Sequence, residues 1–313
     1  MPPASPPADP IATFARLAGV ELGGTKGIAV LGDGTGIIDR LTVHTTSPDE
    51  TLGALADQVA QWDAAGKIAA LGIASFGPIR LAAGAADYGR ILATPKPGWS
   101  GADVLGAFAG RFSLPIGIDT DVNAAALAEY RWGAGAGCTS LVYLTIGTGI
   151  GGGVLLDGRS LKGRLHPELG HVMLRRDPSD GFAGICPYHG DCVEGLLSGP
   201  ALAARLGGPV EQADADDPRW DPAVRDLAQF IAMLMLGFAP DRVLIGGGVG
   251  IGAPHLVASA LAHVPAILAG YVPDLDPAAL AKLVTLPGLG ADAGPLGAIA
   301  LAGDALRLQT IAH

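Results

Sequence analysis

The chain has 313 residues, enough for about two domains at roughly 150 residues each. Hydrophobic residues at 49% against 16% charged exclude a disordered chain. A net charge of −10 and only 5% aromatics leave neither a basic surface nor a stacking platform, so no nucleic-acid partner is expected.

In chain order, residues 1–10 are proline-rich without a basic run, and residues 1–18 read as a flexible tail rather than a signal peptide. Residues 19–22 and 27–31 read as strands around the tip Gly23-Gly24-Thr25-Lys26, and residues 36–43 as a further strand. A helix follows, with Ser47 as N-cap, Pro48 at N1 and Glu50 completing a capping box; Leu52, Leu55, Ala56, Val59 and Trp62 share one face. Residues 71–76 and 115–119 read as strands, 102–111 and 122–132 as helices, and 81–99 as irregular. Residues 140–146 and 152–156 form a second hairpin around a glycine-rich tip. A long stretch of turns covers 164–192. Helices are expected near 198–205, 221–237, 253–270 and 295–308, and strands at 241–245 and 282–286. The longest apolar run, residues 230–239, is about half of the roughly 20 residues a membrane span needs, so no membrane association is expected. Cys138, Cys186 and Cys192 are a small, odd set that suits a reducing, cytoplasmic setting. Each half opens on a hairpin with a glycine tip and continues with alternating helices and strands, which implies two α/β domains with a cleft between them.

Both tips, Gly23 to Lys26 and Gly147 to Gly153, suit phosphate, because glycine lets backbone N–H groups approach anionic oxygens; the same residues also serve tight hairpins without a ligand. Residues 147–152 match G-x-G-x-x-G, but a strand follows where the dinucleotide fingerprint requires a helix. Gly246-Gly247-Gly248 ends a strand and can admit a flat purine. Asp119-Thr120-Asp121-Val122-Asn123 lies between a strand and a helix. Asp121 or Thr120 can cap that helix, and a carboxylate there can also serve as general base for a hydroxyl attacking a phosphate. His171 with Cys186-Pro-Tyr-His189-Gly-Asp-Cys192 supplies four ligands suited to a closed, structural Zn²⁺ site, against the alternative of buried free cysteines and surface histidines. Glu168 and Glu194 flank this loop; either can be a solvated surface carboxylate or, beside a zinc loop, can accept hydrogen bonds from sugar hydroxyls.

Together these motifs resemble the ROK family (repressors, open reading frames, kinases) over about residues 19–302. Glu21-Leu-Gly-Gly-Thr-Lys26 and Ile146-Gly-Thr-Gly-Ile-Gly-Gly-Gly153 look like its two phosphate motifs, Thr120-Asp-Val-Asn123 like its catalytic segment, and Glu168-Leu-Gly-His171 with the Cys/His loop like its sugar-and-zinc segment. Pro240-Asp-Arg-Val-Leu-Ile-Gly-Gly-Gly248 looks like its adenosine motif. Ala74-Ser-Phe-Gly-Pro78, Thr94-Pro-Lys-Pro-Gly-Trp99 and the Cys-Pro-Tyr-His-Gly-Asp-Cys run are similar to bacterial ROK fructokinases. Glu21 stands where the superfamily often has Asp, and Thr120 where many members have Asn.

The resemblance implies a two-domain α/β, actin-like ATPase fold (that of sugar kinases, heat-shock ATPases and actin). Residues 19–119 with 293–313 would form the smaller domain and residues 120–292 the larger one carrying the zinc loop. It implies an ATP- and Mg²⁺-dependent hexose kinase, foremost a fructokinase acting at the 6-hydroxyl, with Asp121 as base. Gly77, Thr94, Thr120, Asn123, Glu168, His171 and Glu194 would face the sugar. Glu21, Gly23, Gly24, Thr25, Lys26, Gly147, Thr148, Gly149, Gly247 and Gly248 would serve ATP, and His171, Cys186, His189 and Cys192 would hold Zn²⁺. A homodimer is the family precedent. Two alternatives are a kinase of another hexose (mannose, glucose or an amino sugar) and a non-catalytic sugar-sensing protein. Sensing repressors of the family carry a DNA-binding domain before the first hairpin, for which about 18 residues are too few.

Overall fold

The computed structural model describes residues 15–33 and 36–311. The expected tail lies outside the described residues up to residue 14, and its last two residues, Leu17 and Ala18, already belong to the first strand. The chain runs β1 (Leu17–Leu22), β2 (Lys26–Gly32), β3 (Ile37–His44), α1 (Pro48–Ala65), β4 (Ala70–Ser75), α2 (Val104–Ala109), β5 (Ile116–Thr120) and α3 (Asp121–Trp132). It continues through β6 (Ser140–Ile146), β7 (Ile150–Leu156), β8 (Arg159–Ser160), α4 (Val193–Leu197), α5 (Gly199–Leu206) and α6 (Asp221–Phe238). The last elements are β9 (Arg242–Gly246), α7 (Gly247–Gly252), α8 (Pro254–Leu268), α9 (Pro277–Leu283), β10 (Val284–Thr285) and α10 (Ala293–Ile311).

Two compact units result. The first comprises the chain through Gly137, Arg159–Pro167 and the chain from Leu289 onward; the second comprises Cys138–Gly158 and Glu168–Gly288. The expected division at residues 119/120 and 292/293 is therefore displaced, because α3 stays with the first unit. A Cβ on Gly297 of α10 would lie 2.1 Å from the Ala124 carbonyl oxygen of α3, so the α10 backbone rests directly on that of α3 where Gly297 has no side chain. On its other side α10 meets β4 at Gly72, whose Cβ would lie 1.9 Å from the Ala298 carbonyl oxygen.

In the first unit the sheet order is β3-β2-β1-β4-β5. The hairpin strands β1–β2–β3 are antiparallel, whereas β1–β4 and β4–β5 are parallel. Such a mixed sheet needs crossovers, supplied by α1 and by the segment carrying α2. The first crossover begins where the capping box predicts: Ser47 Oγ accepts from Glu50 N, and Leu52, Leu55, Ala56, Val59 and Trp62 are buried. They pack with Ile73, Trp99 and Phe108 in one core.

The second unit repeats the plan. Its strands are ordered β10-β9-β6-β7, with an antiparallel β6–β7 hairpin and parallel β6–β9 and β9–β10 pairs. Leu144, Ile146, Leu197, Phe230, Leu234 and Ile245 fill its core. Three short helices, α4, α7 and α9, were not expected, and the strand expected over residues 282–286 is reduced to Val284–Thr285. No helix among the described residues is long and apolar enough to cross a membrane.

Candidate active site

In the first unit, β1 ends at Glu21-Leu22 and the chain turns through Gly23, Gly24 and Thr25 into Lys26 of β2, closed by Gly23 N donating to Lys26 O at 2.9 Å. Thr45 braces the tip: its N–H donates to Thr25 O at 2.9 Å and its hydroxyl to Gly23 O at 2.8 Å. Burial holds the Glu21 carboxyl above the usual carboxylate range, while Lys26 and Arg40 pull it the other way. Glu21 lies against the first turn of α10. A Cβ on Gly294 would come within 2.3 Å of Glu21 Oε1, so glycine there makes room for this longer acid.

Asp121 is the first residue of α3 and is half-buried. The N-cap is Thr120, whose Oγ1 accepts from Asn123 N at 3.1 Å, while Asp121 Oδ1 accepts the neighbouring Val122 N–H at 2.9 Å. Two residues back, Asp119 is 1% exposed and gathers four donors: Thr120 N (2.8 Å), Asn123 Nδ2 (2.8 Å), Ser160 Oγ (2.6 Å) and Lys162 Nζ (2.8 Å). Thr120 and Asn123, both expected on the sugar, are 2% exposed, and these bonds fasten them to the start of α3. Gly77 precedes Pro78 through a cis peptide bond, and the next N–H, of Ile79, donates to His166 Nε2 at 3.2 Å. Burial lowers the His166 pKa, which keeps the ring neutral and this nitrogen an acceptor. Thr94 Oγ1 accepts from Lys96 N at 3.4 Å and is half-buried.

In the second unit, the β6–β7 tip closes through Gly147 N donating to Gly149 O at 2.9 Å, and Gly147 O accepts Gly199 N at 2.7 Å. Thr148 lies between them, exposed. Glu194, from α4, accepts the Ile150 N–H at 2.9 Å, and a Cβ on Gly149 would meet its Oε2 at 2.7 Å. Glu194 thus braces the glycine tip. Burial, and then the Glu194 charge, push the Glu168 carboxyl up to about 7. Gly247 sits at φ +81° with Ile146 O only 2.4 Å from where a Cβ would be, whereas a Cβ on Gly248 meets nothing within 4 Å. The first glycine is required by close packing; the second leaves its backbone approachable.

His171, Cys186, His189 and Cys192 converge, their ligand atoms all within 4.8 Å of one another. His171 Nδ1 lies 3.8 Å from Cys186 Sγ and 3.6 Å from Cys192 Sγ, and His189 Nδ1 lies 3.8 Å from Cys186 Sγ. A tetrahedral Zn²⁺ with bonds of about 2.3 Å to sulfur and about 2.0–2.1 Å to nitrogen separates its ligands by roughly 3.3–3.8 Å, a range that these three separations match, and the two thiols and two imidazoles are a donor set suited to it. His171 turns Nδ1 to the sulfurs, which leaves Nε2 for another partner. Behind the cluster, Arg176 bonds Asp191 (3.2 Å) and Asp180 (2.6 Å), and Arg205 bonds Asp180 (3.0 Å) and Asp226 (2.8 Å), which ties the loop to α5 and α6.

The pattern of the ROK family matches residues 17–305. The chain belongs to the ROK family. A fructokinase of Zymomonas mobilis is 42% identical, covering 90% of this chain and 95% of that protein. A protein of Bacillus subtilis named as a putative fructokinase is 41% identical, covering 94% and 97%. Among solved structures, the ROK hexokinase of Thermus thermophilus superposes with a TM-score of 0.74 at 30% identity, covering 95% of this chain and 100% of that one. The ROK architecture is the actin-like ATPase fold, and the two mixed sheets described above have that form.

Within this ROK chain, the Cys/His residues expected to converge do so, and both glycine runs lie at hairpin tips as expected from the sequence. Sequence reasoning missed Asp119, Ser160, Lys162 and His166 as the group that fixes α3 and the Gly77 turn. Their partners lie 41, 43 and 87 residues apart along the chain, beyond any local pattern.

Proposed function

We propose that this ROK-family chain is an ATP-dependent hexose kinase that acts on fructose, transferring the γ-phosphate to the 6-hydroxyl. The observation that carries this reading is Asp121: a half-buried carboxylate at the first position of α3, with the N-cap duty taken by Thr120 and the backbone beneath it locked by Asp119. Because Thr120 supplies the N-cap, this position of Asp121 supports its reading as the general base. The fructokinase relatives at 41% and 42% identity over nearly the whole chain favour fructose among the hexoses.

Asp121 takes the proton of the acceptor hydroxyl as that oxygen attacks phosphorus. The backbone amides of Gly24, Thr25, Thr148 and Gly149 receive phosphate oxygens, and Gly248 gives the purine an approach free of side chains. Mg²⁺, when bound with ATP, would neutralise phosphate charge, and Glu21 is the carboxylate of the first hairpin suited to orient its water shell. Gly77 and Thr94 line the sugar site. Glu168 and His171 Nε2 are assigned to sugar hydroxyls, Glu168 able to donate as well as accept because its pKa lies near neutrality. Glu194 serves the sugar site by holding the glycine tip, and Asn123 and Thr120 by holding Asp121. His171, Cys186, His189 and Cys192 would hold a structural Zn²⁺ that fixes the loop bearing Glu168. The reading includes a cytoplasmic homodimer.

A panel of fructose, mannose, glucose and amino sugars with ATP, followed by ADP release, tests this. Turnover highest with fructose is expected. Turnover with another hexose would move the specificity, and ADP release with none of them would refute the kinase reading.

A further inference from the structure

The first glycine tip has its polarity fixed from behind. Its three successive carbonyls each meet a donor: Gly23 O the Thr45 hydroxyl, Thr25 O the Thr45 N–H, and Gly24 O the Lys96 ammonium. With the three carbonyls engaged, the N–H groups of Gly24 and Thr25 take no partner among the described residues, and a Cβ on Gly24 would meet nothing within 4 Å. Such a row of amides is an anion cradle.

Lys96 reaches this tip from a loop that is itself fixed. Lys96 N donates to Thr94 Oγ1, and Ser100 Oγ bridges Thr94 N and Thr94 O at 3.2 Å each. The Trp99 indole is fully buried, donates to Thr46 O at 2.8 Å and packs edge-on to Phe76 with centroids 5.1 Å apart. Thr46 adjoins Thr45, the brace of the tip. The cation therefore extends from a segment that is hydrogen-bonded within itself and anchored by the buried Trp99. Lys26, the lysine of the glycine motif itself, is exposed at the start of β2, and its charge opposes the burial that raises the Glu21 pKa.

We propose that Lys96 contacts the terminal phosphate of the nucleotide. It keeps one N–H on Gly24 O and offers its charge to the transferring group. This rests on the kinase reading. In that reaction the bond from the sugar O6 to the γ-phosphorus forms, the bond to the bridging oxygen of ADP breaks with its electron pair leaving on ADP, and the hydroxyl proton goes to Asp121. Lys96 exchanges no proton; it stabilises charge.

The test compares Lys96→Gln, which keeps a donor but no charge, with Lys96→Arg, which keeps both, and Lys96→Met, which keeps neither. Calorimetry with the non-hydrolysable analogue AMPPNP and with ADP is the readout, beside kcat and the melting temperature. For Lys96→Gln, AMPPNP affinity is expected to fall roughly tenfold and kcat roughly 10–100-fold, with ADP affinity changed by less than about threefold and Lys96→Arg within about fivefold of wild type. Lys96→Gln with wild-type AMPPNP affinity and kcat would overturn the proposal, whatever happens to the melting temperature, because a structural pin needs only the hydrogen bond. Should Lys96→Met fail to fold, the Gln and Arg variants decide. Wild-type protein that neither binds AMPPNP nor releases ADP with any hexose would overturn the kinase reading itself. Wild-type turnover matched by Lys96→Gln would remove only the lysine.

Discussion

Asp121→Asn separates chemistry from folding in this chain, and the structure sets both sides of the comparison. On the folding side, the cap of α3 is Thr120, and Asp121 Oδ1 accepts the short-range Val122 N–H at 2.9 Å. An amide oxygen can still accept that N–H. What is lost is a negative charge in the first turn of α3, a favourable interaction with the helix dipole of about 0.3–1 kcal/mol. Urea unfolding is therefore expected to show a loss of about 1 kcal/mol or less. On the chemical side, asparagine cannot take a proton, and kcat with fructose and ATP is expected to fall roughly 10²–10⁴-fold while nucleotide affinity survives. Thr120→Ala should lose about 1 kcal/mol through the missing cap, with a smaller fall in kcat than Asp121→Asn because the base itself remains. Initial rates and denaturation curves of the two variants, measured side by side, make the comparison. Wild-type turnover in Asp121→Asn would take the general base away from this position.

Metal-replete wild-type protein is expected to carry one zinc per chain by elemental analysis; Cys186→Ser should lose that zinc and melt earlier, since the loop loses its anchor. Zinc-free wild-type protein would refute this. Asp226 carries a pH signature: burial raises its carboxyl to about 6, although Arg205 at 2.8 Å, Arg176 and Arg225 pull it down and Asp180 adds to the rise. The folded state thus binds this proton more tightly than the unfolded chain, so the contribution of Asp226 to stability is greatest at acid pH and declines as pH rises from about 4 to about 6. Stability measured by urea at several pH values should show wild type losing ground to Asp226→Asn across that window, and parallel curves would refute the shift.

The sequence announces what is local and stays silent on what is assembled at a distance. Ser47, Pro48 and Glu50 state the start of α1 within four residues, and the structure starts the helix there, with Ser47 Oγ accepting from Glu50 N. Cys186, His189 and Cys192 state a ligand spacing, and a single turn at Gly190 suffices to bring them together. Asp276 followed by Pro277 was also a helix start, with Asp276 Oδ1 accepting Ala279 N at 2.7 Å, and went unread because only seven residues follow. By contrast, α7 begins in a run of glycines, which propensity counts against a helix. Its first residue must be glycine because the Ile146 backbone fills the space where a side chain on Gly247 would stand. The domain division failed for the same kind of reason. The strand-to-helix junction at residues 119–121 looks like a boundary in sequence, but the glycines of α10 draw α3 into the first unit. Glu129, fully buried on α3, then accepts both Ala134 N and Leu289 N at 2.8 Å, so it holds the chain close to where it leaves the first unit and where it returns. The candidate base was legible because a carboxylate at a helix start is a local pattern. What makes it usable was not: Asp119, Ser160 and Lys162 fix the backbone beneath it, and no local pattern links residues 41 and 43 positions apart.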